Sequence, residues 1–250
     1  MIIAALIPAR YNSTRFPGKM MAKLGNQTVI LSTYKNTVAT NLFDMVYVVT
    51  DSDIIFKEIQ DNDGNVIRSN NEHSTGSDRI AEACQDLDID IVVNVQGDAP
   101  FINFGGISGL IAAFNDPEVQ VATLIQRFKE KDDFANPNNV KVVMDKFYNI
   151  MYFSRANIPY NRNSDGVQNF YEHIGVYAFR KKALMEFTSL PQTINEKIEC
   201  LEQLRLLENG YNIRAVEVDY MGIEIDTPED LVAANQYLAE HSFEKKMSME

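Results

Sequence analysis

Short apolar runs alternate with amphipathic segments through the first 95 residues, and this alternation restricts the possible folds more than any other feature of the chain. The runs Ile2–Ile7, Met45–Thr50 and Ile89–Val95 are almost continuously apolar, which is typical of strands buried on both faces. The amphipathic segments between them have the length and spacing of helices. Strands that alternate with helices predict an α/β fold with a mostly parallel sheet covered on both faces.

The pattern changes after Pro100, where several strand candidates follow one another and predict a small mixed sheet. Between two of them, the Pro-, Asn- and Gly-containing segment Ile158–Asn169 is typical of a loop. The strand candidates in this half are Val119–Gln126, Val140–Met144, Ile150–Phe153, His173–Phe179 and Ile213–Val218. The later helices are predicted at Lys181–Thr188, Glu196–Glu208 and Pro228–Glu240, and the polar tail His241–Glu250 is expected to fray.

Length and charge restrict the class of protein. A chain of 250 residues with 45% hydrophobic residues and no repeat or long linker predicts one domain over residues 1–250. The formal net charge of −12 argues against nucleic acid or a membrane surface as a partner, because both are anionic. The apolar run at the N-terminus is too short to span a bilayer, and two isolated cysteines, Cys84 and Cys200, favour a reduced, cytoplasmic protein.

A basic loop, Pro8–Lys19, follows the first strand and is the most informative segment. Open α/β sheets bind ligands at the carboxyl ends of their strands, and this is such an end. Arg10, Arg15 and Lys19 place three cations within ten residues of an acidic chain. Gly18 and nearby hydroxyls allow an anion to approach closely, although the spacing of a Walker P-loop is absent. The loop therefore predicts an anion-binding site, and the alternative is a solvated basic loop.

Two aspartates stand at the ends of apolar segments. Asp98 follows Gly97 after the strand Ile89–Val95, and Asp226 precedes the helix that begins at Pro228. Carboxylates beside a polyphosphate are natural ligands for Mg²⁺. Each has a simpler alternative, since Asp98 is also suited to a turn and Asp226 to capping the following helix.

Two further groups of polar residues are candidates for ligand contact. The loop Glu72–Arg79 brings hydroxyls and Gly76 to a helix N-terminus, where it either contacts a ligand or only caps the helix. His173 and Tyr177 are four residues apart on a predicted strand and so share a face. They line a ligand site or form a satisfied, half-buried pair.

Together these segments resemble the 3-deoxy-manno-octulosonate cytidylyltransferase (CMP-Kdo synthetase) family of lipopolysaccharide biosynthesis. The resemblance covers residues 2 to about 238 in the family's order. The matching stretches are IPARYNSTRFPGK, HSTGSDRIAEA, IVVNVQGDAPFI, NPNNVKVV, YFSRANIPYNR, HIGVYAFR, LEQLRLL and IDTPEDL.

The resemblance implies a Rossmann-like, GT-A-like nucleotidyltransferase fold, with CTP as donor, an acidic 3-deoxy sugar as acceptor, Mg²⁺ as cofactor and a homodimer. A subregion of about residues 127–190 is expected to serve dimerisation and sugar binding. By this likeness the nucleotide-binding residues are Ala9, Arg10, Ser13, Lys19, Gly76, Ser77 and Arg79. The sugar-binding residues are Gln96, Arg155, His173, Tyr177, Glu202 and Gln203. The catalytic residues are Arg10, Lys19, Asp98 and Asp226, of which the two aspartates are the magnesium ligands.

The sequence departs from the family pattern at two places. Ala99 replaces the glutamate of the usual QGDEP, and Asn195-Glu196-Lys197 replaces an apolar residue and a histidine. A lost carboxylate changes the charge near the far end of the sugar, so an amino-substituted octulosonate such as 8-amino-Kdo is an alternative acceptor.

Three other classes of protein remain as alternatives. An enzyme for sialic-type nonulosonates typically has a glycine-rich first loop like ARGGSKGIPGKN, which differs from ARYNSTRFPGK here. An enzyme for a neutral sugar phosphate would not need Arg155 and His173, which suit a free carboxylate. A non-catalytic binding protein would not need Lys19, Asp98 and Asp226 together.

Overall fold

The chain forms two compact units in a computed structural model that describes residues 1–13, 15–73, 75–128, 131–162, 170–219 and 223–247. Unit 1 comprises residues 1–89, 94–102 and 222–250, and unit 2 comprises residues 90–93 and 103–221. None of the helices in these described ranges is both long and apolar enough to cross a membrane.

Unit 1 contains a parallel sheet with helices between its strands. Strand β1 (Ile3–Ala9) pairs with β4 (Met45–Thr50), and β4 pairs with β5 (Val66–Arg68), both in parallel. The parallel direction follows from the helices α1 (Val29–Ala39) and α2 (Asp53–Gln60), which connect these strands as crossovers, and β1 is buried along almost its whole length. The elements are β1 (Ile3–Ala9), a 3₁₀ turn (Lys19–Met21), β2 (Lys23–Leu24), β3 (Gln27–Thr28), α1 (Val29–Ala39), β4 (Met45–Thr50), α2 (Asp53–Gln60), β5 (Val66–Arg68), α3 (Gly76–Cys84) and α9 (Pro228–Met247).

Unit 2 contains the mixed strand pairing that was predicted for the second half. Strand β11 (Ile213–Val218) pairs in parallel with β7 (Val121–Arg127). Strand β10 (Tyr171–Arg180) pairs antiparallel with β7 and with β8 (Lys141–Met144), and β8 pairs antiparallel with β9 (Ile150–Ser154). Most of β6 (Ile91–Asn94) belongs to this unit. The other elements are α4 (Phe104–Ala113), β7 (Val121–Arg127), α5 (Lys131–Ala135), β8 (Lys141–Met144), β9 (Ile150–Ser154), β10 (Tyr171–Arg180), α6 (Lys181–Ser189), α7 (Ile194–Glu199), α8 (Leu204–Glu208) and β11 (Ile213–Val218).

The predicted helix Glu196–Glu208 is wrong as one element, because the structure divides it into α7 and α8. Cys200 adopts the left-handed conformation with φ of +51°, which ends α7. A buried ion pair joins the two helices, with Arg205 Nη2 2.5 Å from Glu196 Oε1. The sequence gives no signal of this break, because there is neither a glycine nor a proline at it.

The last helix is longer than predicted. It begins at Pro228 as expected but continues to Met247, so the expectation of a frayed tail is wrong for residues 241–247. Residues 248–250 lie outside the described part of the chain, as do residues 163–169 of the predicted loop. Buried Leu24, Val29, Ile225 and Ala234 form an apolar cluster that packs α9 against the N-terminal segment. This packing places the start of α9, and with it Asp226, near the first loop.

Gly97 allows close packing where the chain leaves β6. A Cβ built on Gly97 would lie 3.0 Å from the Pro8 carbonyl oxygen and 3.2 Å from Ile30 Cδ1. Thr33 Oγ1 also donates a hydrogen bond to the Gly97 carbonyl over 2.9 Å. The segment that ends in Asp98 is therefore held against the end of β1.

We expect Gly97→Ala to lower the free energy of unfolding by about 1–3 kcal/mol, because the added methyl group must displace backbone atoms. Urea unfolding followed by circular dichroism measures this change. Gly175→Ala is the control, because a Cβ there meets no atom within 4 Å. Equal stability losses in the two variants would contradict the packing role of Gly97.

Candidate active site

A cavity of about 380 Å³ opens in unit 1 at the carboxyl end of β1. Its lining contains more positive than negative side chains, in contrast to the chain as a whole. The charged lining residues are Arg10, Arg15, Lys19 and Arg79 on the positive side and Asp98 and Asp226 on the negative side. Pro8, Ala9, Ser13, Met20, His73, Thr75, Gly76, Gln96 and Gly97 complete the lining. The positive side chains suit an anionic ligand, and the two aspartates suit a cation that binds together with it.

The basic loop reaches the cavity through a tight turn at Gly18. Gly18 has φ of +72°, a conformation that glycine adopts without steric cost. Its N–H donates to the Tyr11 carbonyl over 3.3 Å, and the N–H of Lys19 donates to the Phe16 carbonyl over 3.1 Å. The turn therefore buries Lys19, whose side chain is only 7% exposed.

Lys19 bridges the two aspartates that the sequence singled out. Its Nζ lies 2.5 Å from Asp98 Oδ2 and 3.0 Å from Asp226 Oδ1. Burial by itself would lower the pKa of Lys19, but the charges and hydrogen bonds of the two aspartates outweigh burial and raise the pKa above its ordinary value of 10.5. Arg15 Nη2 contacts the other oxygen of Asp226 at 3.0 Å. The ammonium group of Lys19 thus contacts both carboxylates.

The capping of α9 leaves the Asp226 carboxylate available for this pairing. Thr227 Oγ1 accepts a hydrogen bond from the Asp230 N–H over 3.2 Å, and Asp230 Oδ2 accepts from the Thr227 N–H over 2.8 Å. Thr227 and Asp230 therefore cap the helix reciprocally. The alternative that Asp226 serves as the helix cap is wrong. Asp98 does lie in a turn, since the Ala99 N–H donates to the Gln96 carbonyl over 3.1 Å, and its carboxylate contacts Lys19 as well.

Helix α3 begins at the cavity and places Arg79 there. Thr75 Oγ1 caps the helix by accepting from the Asp78 N–H, and a Cβ on Gly76 would lie 3.2 Å from Pro8 Cγ. Arg79 is buried, and its Nη2 contacts Asp51 Oδ2 at 2.9 Å. Its Nη1 is buried without a hydrogen-bond partner in the described part of the chain, so this donor is available to a ligand oxygen.

Unit 2 holds five of the six predicted sugar residues. Arg155 is tied to backbone, since its Nε donates to the Glu199 carbonyl over 2.8 Å and its Nη1 donates to the Pro137 carbonyl over 3.0 Å. Gln203 is buried at the start of α8, and Glu202 precedes it.

His173 and Tyr177 contact each other on β10, with ring centroids 5.3 Å apart. Their shared face is confirmed, although the strand is irregular between Ile174 and Tyr177. His173 Nε2 lies 3.1 Å from Thr123 Oγ1, and burial lowers the pKa of His173 to about 3. Burial, and then the charge of Glu202, raise the pKa of Tyr177 well above its ordinary value. The buried Tyr177 hydroxyl makes no hydrogen bond of regular geometry among the described residues, and the neighbouring Thr123 hydroxyl counteracts part of the rise in its pKa.

The predicted residues divide between the two units. In unit 1 the cavity lining includes Ala9, Arg10, Ser13, Lys19, Gly76, Arg79, Gln96, Asp98 and Asp226. Ser77 is buried in α3 and is not part of this lining. Among the described residues, no third His, Cys, Asp or Glu joins Asp98 and Asp226 to form a larger group of possible metal ligands.

Three residues of these networks were missed by the sequence analysis, namely Asp51, Glu82 and Thr123. Asp51 follows β4 directly, so its position at a strand end was a signal that the sequence offered. Glu82 lies one helical turn beyond Arg79 and accepts hydrogen bonds from the loop before α3. Thr123 carried no such signal, because a threonine in a buried strand is ordinary.

The chain is similar to known proteins over almost its whole length. A family model described as cytidylyltransferase matches residues 4–216. The chain is 54% identical to 3-deoxy-manno-octulosonate cytidylyltransferase of Flavobacterium johnsoniae, with 95% of this chain and 99% of the relative covered. It is 50% identical to the protein of the same name in Christiangramia forsetii, with 95% and 97% covered.

A solved structure agrees with these relatives. It is CMP:2-keto-3-deoxy-manno-octonic acid synthetase complexed with CTP, which matches this chain with a TM-score of 0.92 at 34% identity. The match covers 96% of this chain and 100% of that protein, and it confirms the predicted fold class.

We expect the imidazole of His173 to stay neutral from pH 8 down to about pH 5, because burial lowers its pKa to about 3. The unfolded chain, with an ordinary pKa near 6.5, takes up this proton first, so His173 reduces stability as the pH falls below about 6.5. Histidine NMR signals recorded against pH measure the titration, and His173→Gln identifies the signal. A titration midpoint of His173 above pH 5 would contradict its burial in the folded protein.

Proposed function

The chain belongs to the 3-deoxy-manno-octulosonate cytidylyltransferase family, and on that premise we propose that it couples CTP to the anomeric hydroxyl of Kdo and releases pyrophosphate. The resemblance inferred from the sequence motifs is thereby confirmed. The observation that carries the proposal is the cavity in which Lys19 bridges Asp98 and Asp226 among further cations. The expected role of the protein is in lipopolysaccharide biosynthesis.

The cavity suits the triphosphate of CTP. Arg10, Arg15, Lys19 and Arg79 offset the charge of the phosphates in a chain whose net charge is −12. The unpartnered Nη1 of Arg79 offers a buried donor to the nucleotide. Gly76 and its neighbours give the bound group close access to backbone at the start of α3.

The carboxylates of Asp98 and Asp226 fit a magnesium ion. Both already contact a single cationic group, the ammonium of Lys19, so one ion between them has two oxygen ligands of the kind that Mg²⁺ prefers. Phosphate oxygens and water would supply the remaining ligands. The ion, when bound, would polarise the α-phosphate and help to ionise the attacking hydroxyl.

Catalysis then depends on positioning and on charge neutralisation. The anomeric oxygen attacks the α-phosphorus in line, and the bond to the β-phosphate oxygen breaks as pyrophosphate leaves. Lys19 and Arg10 are placed to offset the charge that grows on pyrophosphate. No side-chain nucleophile is needed, because the sugar supplies the attacking oxygen.

Unit 2 carries the groups proposed for the sugar. The buried hydroxyl of Tyr177 and the neutral ring of His173 suit sugar hydroxyls, and Arg155 suits the sugar carboxylate. Relatives named for the ordinary octulosonate support Kdo as the acceptor, and the amino-substituted sugar suggested by Ala99 stays a prediction.

The proposed homodimer is supported by large exposed apolar side chains of unit 2. Phe147 is 64% exposed, Met151 65% and Tyr160 87%. Met151 lies on β9, which among the described strands pairs with β8 alone. Exposed apolar side chains beside a strand edge favour association with a second copy.

The proposed location is the cytoplasm. The two cysteines, Cys84 and Cys200, are both free thiols, which suits a reducing compartment. The supply of CTP points to the same compartment.

We expect pyrophosphate release from CTP, Mg²⁺ and Kdo, with Asp98→Asn lowering kcat/KM on the order of 100-fold or more because a charged ligand of the metal is lost. A coupled phosphate assay with a panel of Kdo, 8-amino-Kdo, a sialic acid and no sugar measures this rate. Removal of Mg²⁺ with EDTA should abolish release, and added Mg²⁺ should restore it.

Asp88→Asn is the matched control, because Asp88 is exposed and lies outside the cavity lining. It should retain the wild-type rate. The proposed function would be contradicted if folded wild-type protein released no pyrophosphate with Kdo. Full activity in Asp98→Asn or in EDTA would contradict the metal site.

We expect the wild-type protein to elute at twice its chain mass of 28.4 kDa and Met151→Glu to shift it toward the monomer. The reason is that association would bury an unpaired carboxylate. Size-exclusion chromatography with light scattering measures the mass, and Val232→Glu on α9 is the control at another exposed apolar position. A monomeric wild type, or a Met151→Glu dimer of unchanged affinity, would rule out this interface.

A further inference from the structure

One carboxylate behind the cavity wall is surrounded by hydrogen-bond donors. Glu82 on α3 accepts from Ser69 Oγ over 2.6 Å, the Asn70 N–H over 3.1 Å, Asn71 Nδ2 over 2.8 Å and His73 Nε2 over 2.7 Å. All four donors come from the segment of residues 69–73, here named loop 69–73. A single side chain therefore ties this loop to α3.

Loop 69–73 has no regular secondary structure of its own, so side-chain contacts must determine its path. Glu82 is only 17% exposed, which shields its hydrogen bonds from competing water. Burial by itself would raise the pKa of Glu82, but the hydrogen bonds from Ser69, His73 and Asn70 lower it to about 2. The carboxylate is thus ionised at neutral pH, and its hydrogen bonds are charge-assisted.

The loop and the helix joined by Glu82 both contribute to the nucleotide cavity. His73 lines the cavity from the loop, and Arg79 lines it from α3, one turn before Glu82. Glu82 itself does not belong to the lining. Any effect of Glu82 on a bound nucleotide must therefore act through the groups that it holds.

We propose that Glu82 is a positioning residue for the nucleotide, which holds loop 69–73 and the ring of His73 at the cavity. The proposal rests on the function proposed above. It follows that Glu82 governs the affinity for CTP and leaves the rate of the chemical step unchanged, because Lys19, Asp98 and Asp226 are held by other contacts.

The test is Glu82→Gln, which keeps the size of the side chain but removes the charge and one acceptor. We expect KM and Kd for CTP to rise about tenfold, while kcat and KM for the sugar stay within about twofold of wild type. Steady-state kinetics and calorimetric titration with CTP measure these quantities. In nucleotide-free protein, the amides of loop 69–73 should exchange with deuterium about tenfold faster.

Glu58→Gln is the matched control. Glu58 on α2 is also half-buried and accepts a hydrogen bond from Thr28 Oγ1 over 2.9 Å, but it is not part of the cavity lining. It should leave KM for CTP and the exchange of loop 69–73 unchanged. This control separates a loss of stability from a loss of positioning.

A double-mutant cycle with His73→Ala tests the route of the effect. If Glu82 acts through His73, the free-energy changes calculated from KM for CTP in the two single variants should not add in the double variant. Fully additive effects would overturn this route, and a CTP affinity of Glu82→Gln within twofold of wild type would overturn the proposal. A fall in kcat at unchanged KM would overturn it as well.

The two proposals fail in different measurements. Absence of pyrophosphate release by the wild type would contradict the function. The exchange measurement needs neither nucleotide nor sugar, so unchanged exchange in Glu82→Gln would by itself overturn the positioning role.

Discussion

The contact of Lys19 with Asp98 and Asp226 is the interaction on which the cavity proposed for the nucleotide depends. These residues are separated by 79 and 207 positions in the chain, so three distant segments must meet for the contact to form. The charge of a buried lysine is costly unless it is compensated, and for Lys19 both aspartates supply that compensation. Local features support the contact from each segment: the left-handed turn at Gly18, the absence of a side chain at Gly97 and the Thr227–Asp230 cap.

Charge is distributed in a way that separates the cavity from the rest of the chain. The protein carries a net charge of −12, yet positive side chains outnumber negative ones in the cavity lining. The surplus of positive charge attracts a polyphosphate to the cavity alone, whereas the acidic rest of the protein repels other polyanions. The two aspartates in the lining do not oppose this attraction, since in the proposed function they would hold a magnesium ion.

Two polar groups of unit 2 are neutral, in contrast to the charged groups that line the cavity. His173 and Tyr177 are buried among aromatic rings, and both are neutral at physiological pH because burial disfavours their charged forms. In the proposed function these neutral groups would bind the hydroxyls of the sugar, and Arg155 would bind its carboxylate with the N–H groups that the backbone leaves over. The hydroxyl of Tyr177, without a hydrogen bond of regular geometry in the described part of the chain, is the kind of buried group that a ligand satisfies.

The sequence by itself determined the α/β class, the family and the identity of most residues in the cavity lining. Continuous apolar strands specify a covered sheet, and the polar residues at their ends must lie at one edge. Only the tertiary structure decided that Asp226 pairs with Lys19 while Thr227 and Asp230 cap α9, because both roles suit an aspartate before a helix. It also decided the break at Cys200, the pairing of Arg79 with Asp51, and the role of Glu82 as acceptor for a whole loop. These depend on which side chains contact one another in the folded chain, and periodicity and local propensity carry no information on that.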